Sequence, residues 1–141
     1  SEIDSIQEEF KDHFKTKDFL LQEFRPEIKE LGETSLIFFN GNFSHAINKK
    51  PVSTDFRVQI QYGGKYTLIE PNDDLILQAE LVLSKIPEKI LYARVDGIVI
   101  KNKLHLMEVE LIEPDLYFDL ADGARERFVE AFLEVLRIYG S

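Results

Sequence analysis

The residues best suited to chemistry in this sequence are four charged side chains in two short runs. Arg94 and Asp96 lie in Tyr92-Ala93-Arg94-Val95-Asp96-Gly97, and Glu108 and Glu110 lie in Met107-Glu108-Val109-Glu110-Leu111. Side chains alternate faces along a strand. As strands, the first run sends Arg94 and Asp96 to one face and Ala93 and Val95 to the other. The second sends Glu108 and Glu110 to one face, opposite Met107, Val109 and Leu111. Between the runs stands Lys101-Asn102-Lys103. A three-residue loop there pairs Ile100 with Leu104, which sets Asp96 opposite Glu108 and Arg94 opposite Glu110. A two-residue loop would set Asp96 opposite Val109 and mix polar with apolar, so the hydrophobic pattern selects the three-residue register.

Three carboxylates and one guanidinium then share a small space. Carboxylates that close repel, and one must hold its proton more tightly unless a cation intervenes. A hard divalent ion relieves the repulsion, and Mg²⁺ characteristically takes a few carboxylates together with phosphate oxygens. The planar fork of Arg94 matches a phosphoryl group. The same charges would also suit a solvent-facing strand pair with ordinary cross-strand ion pairs. Of the histidines, His13 and His105 lack a partner at zinc-ligand spacing. His105 falls on the Val109 face as a structural residue, and His45 reads as a packing or surface residue.

The elements that must position these groups follow from periodicity. Ile3, Ile6, Phe10 and Phe14 give residues 3–15 the apolar side of an amphipathic helix. Asp18–Phe24 is an apolar run halted at Arg25-Pro26. Glu33–Asn40 and Phe43–Lys49 read as a hairpin turning at Gly41-Asn42, followed by a loop through Asp55. Phe56–Gln61 alternates, Gly63-Gly64 interrupts, and Lys65–Glu70 resumes. Pro71-Asn72-Asp73 starts a helix whose apolar side includes Leu75, Ala79, Val82 and Ile86. Leu91–Ile100 and Leu104–Ile112 are the strands bearing the charged runs, and Glu113-Pro114-Asp115 ends the second. A last helix covers Asp122 to Tyr139, with Ala124, Phe128, Ala131, Phe132 and Val135 on one side. Strands joined by short turns are antiparallel, so the fold class is α+β, a mainly antiparallel sheet with helices packed on it.

With 141 residues the chain fits a single domain, and 44% apolar with 30% charged residues is a globular composition. The formal charge of −9, from 26 acidic and 17 basic residues, comes with no large Lys/Arg cluster, which argues against nucleic acid as a partner. No apolar stretch approaches the roughly 18 residues of a membrane span. The first residues lack the basic-then-apolar pattern of a signal peptide. The absence of cysteine removes disulfide and thiolate chemistry and is compatible with the cytoplasm. The 11 phenylalanines lack interleaved Arg and Lys, so they read as core and not as a base-stacking platform.

Taken together, Tyr92–Asp96 and Leu106–Pro114 resemble the C-terminal metal-binding segment of ATP-grasp enzymes, in the branch containing the ribosomal-protein glutamate ligase RimK and D-cycloserine ligase. Upstream pieces occur in the family's order. Leu21-Gln22-Glu23-Phe24 is similar to the hinge strand that contacts adenine, and Gly32–Leu36 to the strand after it. Phe43–Ala46 with Lys49-Lys50 resembles the next strand and its basic end, and Asp55–Gln59 with Gly63-Gly64 the loop closing over phosphates. The resemblance implies metal ligands at Asp96, Glu108 and Glu110, with Glu110 standing where many relatives carry Asn. It implies a phosphoryl-stabilising role for Arg94, phosphate or carboxylate contacts for Arg57 and for Lys49 or Lys50, and nucleotide contacts for Glu23, Phe24, Glu33, Gly63 and Gly64.

The activity so implied is an amide-forming carboxylate–amine ligase using ATP and Mg²⁺, or Mn²⁺ in its place, through an acyl phosphate. A non-catalytic nucleotide- and metal-binding module is the alternative. The expected partners are ATP, a small-molecule or peptide carboxylate and amine, and an N-terminal lobe of the same protein. No lobe of that kind is found in residues 1–141, so the chain is expected to be one half of the enzyme, weak or inactive alone.

Overall fold

The computed structural model describes residues 11, 15, 22–51 and 64–139. Most of the helix expected over 3–15 and of the Asp18–Phe24 run, the Phe56–Gln61 strand, Arg57 and Gly63 lie outside the described residues. The elements in order are α1 (Ile28–Leu31), β1 (Glu33–Phe39), β2 (Asn42–Lys50), β3 (Lys65–Ile69), α2 (Asp73–Leu83), β4 (Tyr92–Ile100), β5 (Lys103–Glu110) and α3 (Ala124–Tyr139). The strands form one sheet in the order β3-β2-β1-β4-β5. Every neighbouring pair is antiparallel, as the short turns require. The fold is α+β.

Strand β1, Glu-Thr-Ser-Leu-Ile-Phe-Phe, is buried along its whole length because it lies at the sheet's centre with helices on both sides. Its alternate residues serve two cores. Leu36 and Phe38 join Ala46, Ala93 and Val95 beneath Leu75 and Ala79 of α2. Ile37 and Phe39 join Ile47 beneath Tyr117, Phe128 and Ala131, the last two from α3. Each fully buried Leu, Ile or Phe here contributes on the order of 2 kcal/mol of apolar transfer free energy. Helix α2 starts where Asn72 caps it, its side chain accepting from the Leu75 amide at 2.9 Å. It stops at Leu83, short of the Ile86 expected. In α3 the apolar side is narrower than its spacing implies, since Phe132 is exposed.

Both hairpins depart from the expected turns. The first turns on Asn40-Gly41, with φ of 47° and 80°, and Asn42 already belongs to β2. The second turns on Lys101-Asn102, with φ of 50° and 62°, so Ile100 pairs with Lys103 and the loop has two residues instead of three. Two left-handed residues match the right-handed twist of the strands they join. The slip that such a loop predicts is cancelled further along. Gly97 pairs with Leu106 but Asp96 pairs with Glu108, leaving Met107 as an extra residue in β5. Asp96 opposite Glu108 and Arg94 opposite Glu110 are therefore as expected, by a different route. The extra residue also moves two side chains. Met107 packs with Ile28 and Ile98, and His105 pairs with Ile98, so both lie toward the Asp96 face and not the Val109 face.

Candidate functional site

The charged groups meet on one sheet face at the end of β1 where the chain enters from α1. Register brings them together: Lys49 of β2 lies opposite Glu33, Ser35 opposite Asp96, and Ile37 opposite Arg94. Gly32 permits the entry. Its φ of 76° suits glycine, and a Cβ there would stand 2.6 Å from the Lys49 carbonyl oxygen. Gly97 plays the matching part on β4, where a Cβ would meet the His105 carbonyl oxygen at 2.6 Å. At both places the backbone of a neighbouring strand occupies the space of a side chain.

Asp96 is the hub. It is completely buried, and such a carboxylate is tolerated only when fully paired. Arg94 Nε donates to Oδ2 at 2.9 Å and to Oδ1 at 3.1 Å, and the Ser35 hydroxyl donates to Oδ1. Lys49 Nζ stands 3.6 Å from Oδ1 and 2.6 Å from Glu33 Oε1. Burial by itself would depress Lys49, but the Asp96 and Glu33 carboxylates outweigh it, and the ammonium titrates above the ordinary lysine value. Arg94 is held above its usual value in the same way, burial being outweighed chiefly by Asp96. Both cations therefore stay charged where they are buried.

The two outer nitrogens of Arg94 each have a partner as well. Nη1 donates to the Asp115 carbonyl at 3.2 Å, and Nη2 pairs with Glu110. Its guanidinium carbon lies 5.7 Å from the centre of the Tyr117 ring, a cation–π distance. Tyr117 itself has a left-handed φ of 52°, costly for a bulky residue and held by its amide donating to Asp115 Oδ1. Burial pushes its phenol up, against the pull of Lys49 and Arg94, so it is protonated at neutral pH. Glu108 is exposed on edge strand β5. Partial enclosure, then the Glu110 and Asp96 carboxylates, raise its pKa. That is the repulsion a cation would relieve.

Among the described residues no group of three or more His, Cys, Asp or Glu side chains forms a ready-made metal cage. Both oxygens of Asp96 are bonded to Arg94, and one also to Ser35. The carboxylates left with open faces are Glu108 and Glu110, and two carboxylates suit a magnesium ion that keeps its remaining positions for phosphate and water.

Of the other residues singled out in the sequence, Lys49 and not Lys50 reaches the cluster, because successive residues of β2 point to opposite faces. Lys50 is exposed and paired with Lys65. Glu33 is buried against Lys49 and is no surface acid. Glu23 is exposed and pairs with Arg25 at 3.0 Å, while Phe24 is 58% exposed. These two border a mainly apolar cleft of about 240 Å³ whose floor includes Ile28, Ile98 and Met107. Ile98 is two residues along β4 from Asp96, so the cleft adjoins the charged cluster. A larger cleft of about 520 Å³ lies at the far end of β1, beside Asn40, Glu80 and Glu134, away from this chemistry. Gly64 is half-buried just before β3. Ser35, Asp115 and Tyr117 were not singled out from sequence. Alternation from Glu33 could have found Ser35; nothing local marks the other two.

No family model matches the chain, and no curated protein matches it. Solved structures do. D-cycloserine synthetase DcsG superposes with a TM-score of 0.62 at 25% identity, over 82% of this chain and 41% of that one. The D-alanine–D-alanine ligase of Bacillus anthracis complexed with ATP gives 0.58 at 19% identity, over 96% and 47%. A second structure of that ligase gives 0.54 at 18% identity, over 96% and 49%. The chain has the ATP-grasp fold. It spans less than half the length of each of these proteins. No described helix is long and apolar enough to cross a membrane.

Proposed function

We propose that this chain is the nucleotide- and metal-binding half of an ATP-dependent ligase that joins a carboxylate to an amine. The observation that carries it is the meeting of Lys49, Arg94, Glu108 and Glu110 on one sheet face beside the Glu23–Phe24 cleft. In this reading the base of the nucleotide lies in the apolar cleft and its phosphates extend along the sheet toward the two cations. Arg94 and Lys49 bind phosphoryl oxygens, Asp96 holds both cations in place, and Glu33 orients Lys49. Arg57 and the Gly63-Gly64 loop take the phosphate-closing part implied by their resemblance.

Glu108 and Glu110 would hold the divalent cation, while Asp96 holds Arg94 and Lys49 beside them. Magnesium bound there would supply neutralisation of phosphate charge. Phosphoryl transfer needs this positioning and neutralisation more than a protein nucleophile. The substrate carboxylate oxygen bonds to the γ-phosphorus as the bond to the bridging oxygen breaks and ADP leaves. The amine nitrogen then bonds to the acyl carbon, phosphate departs, and the amine proton goes to solvent. An N-terminal lobe of the same protein would complete the enclosure.

ATP with Mg²⁺ is expected to raise the melting temperature, and Arg94→Ala and Glu108→Gln to abolish that rise together with turnover in the full-length protein. Unchanged ATP protection and turnover in both variants would refute the ligase reading. A second reading, a nucleotide-binding module without turnover, is favoured by the commitment of Asp96 to Arg94 and Ser35. ADP formation that depends on a carboxylate and an amine separates the two.

A further inference from the structure

We propose that Glu110 makes nucleotide binding conditional on a divalent cation, by occupying the outer guanidinium nitrogen of Arg94 until the cation draws it away. The inference rests on the nucleotide-binding reading above and concerns how that same site is controlled. Arg94 has three partners of unequal standing. Asp96 is completely buried, and the Asp115 carbonyl belongs to the main chain of a tightly turned segment. Glu110 differs from both. Its side chain is 31% exposed, it sits on edge strand β5, and it takes Nη2 alone. A phosphate oxygen arriving from solvent therefore meets at Nη2 a carboxylate that already holds one of its N–H groups.

Charge makes that competition unfavourable without metal. Among the described residues the face carries Lys49 and Arg94 against Glu33, Asp96, Glu108 and Glu110, so a polyphosphate reaching them would meet more negative than positive charge. A charge-assisted pair such as Arg94–Glu110 is also among the stronger hydrogen bonds a newcomer must displace. A divalent cation changes both conditions together. It neutralises the Glu108–Glu110 repulsion and gives Glu110 a new partner, which frees Nη2 for phosphate. Linkage makes the effect reciprocal, so ATP raises cation affinity by the same factor.

The experiment compares two variants that each remove one negative charge. Glu110→Gln releases Arg94, whereas Glu108→Gln leaves the Arg94 pair intact. ATP binding is measured in the full-length protein with EDTA and with Mg²⁺; association of the two in solution cancels in the variant ratios. Glu110→Gln is expected to raise metal-free ATP affinity about tenfold, the scale of one charged hydrogen bond, and Glu108→Gln clearly less. Without nucleotide, Mg²⁺ should shift the Arg94 side-chain nitrogen resonances of the wild type and leave those of Glu110→Gln in place. If ATP binds but the two variants gain equally, or Glu110→Gln gains nothing, this proposal is overturned and the nucleotide reading stands. If the wild type fails to bind ATP even with Mg²⁺, the nucleotide reading falls and takes this one with it.

Discussion

Hairpins β1–β2 and β4–β5 each turn on two left-handed residues, and each carries one extra residue in its returning strand, Ser44 in the first and Met107 in the second. In the first hairpin the extra residue is polar and ties the sheet to α3. Arg127 Nε donates to Ser44 Oγ, the hydroxyl donates to His45 Nδ1, and His45 Nε2 donates to the Leu116 carbonyl. A carbonyl only accepts, so Nε2 carries the proton. In the second hairpin the extra residue is apolar and fills the Ile28–Ile98 cluster while restoring the register of the acids. Its turn is held by α2, as the first turn is held by α3 through Asn40, which donates to Glu134 at 2.9 Å. Asn102 accepts from Asn72 at 2.6 Å through its side chain and from Gln78 at 3.0 Å through its carbonyl. One bulge closes the fold and the other sets the chemistry, although the backbone device is the same.

Shifting the strand beyond the second bulge tests that contrast most severely. Inserting one alanine after Met107 is expected to set the new residue opposite Asp96 and Glu108 opposite Val95, and to weaken Mg²⁺–ATP binding by about a hundredfold or more as charged contacts are lost. Titration by calorimetry or fluorescence reads this directly. Wild-type affinity in the insertion would show that the site does not depend on this register.

A milder perturbation acts beside it. Gly97→Ala must displace the β5 backbone at His105, with an expected loss of about 2 kcal/mol in urea unfolding. The shift should also weaken the pairing of Asp96 with Glu108. A variant as stable as the wild type would show that the strands have room.

The smallest expected effect lies in the first hairpin. Burial is the main cause lowering the His45 pKa below 6.5, against the Leu116 hydrogen bond. The unfolded chain therefore takes up this proton first as pH falls. His45 contributes stability that is present above pH 6.5 and lost as pH drops from there through its folded value. Urea midpoints at pH 7.5 and 5.5 should converge more in His45→Gln than in the wild type. Equal pH slopes in the two proteins would place the titration elsewhere.

Much of this molecule follows from local rules in its sequence. Alternation in Tyr92–Gly97 and Met107–Leu111, the breaks at Gly and Pro, and the cap at Asn72 mark the strands, the antiparallel order and α2. They also put Arg94 with Asp96, and Glu108 with Glu110, on common faces, because a strand's period of two needs no partner to be read. The resemblance to ATP-grasp enzymes rests on the same runs, and the fold agrees with it.

What the local pattern does not encode is whatever depends on a second strand or helix. A bulge such as Met107 is defined only by pairing, so the correct opposition of Asp96 and Glu108 could be reached from a wrong turn length. The choice of Lys49 over Lys50, the burial of Glu33, and the place of Ser35 depend on β1 lying at the centre of the sheet. The capture of Arg94 by Asp96, Asp115 and Glu110 joins two strands and the loop that follows them. Charges read from sequence are only candidates for a site; packing decides which are buried together, and burial decides which remain paired and which are left to meet a ligand.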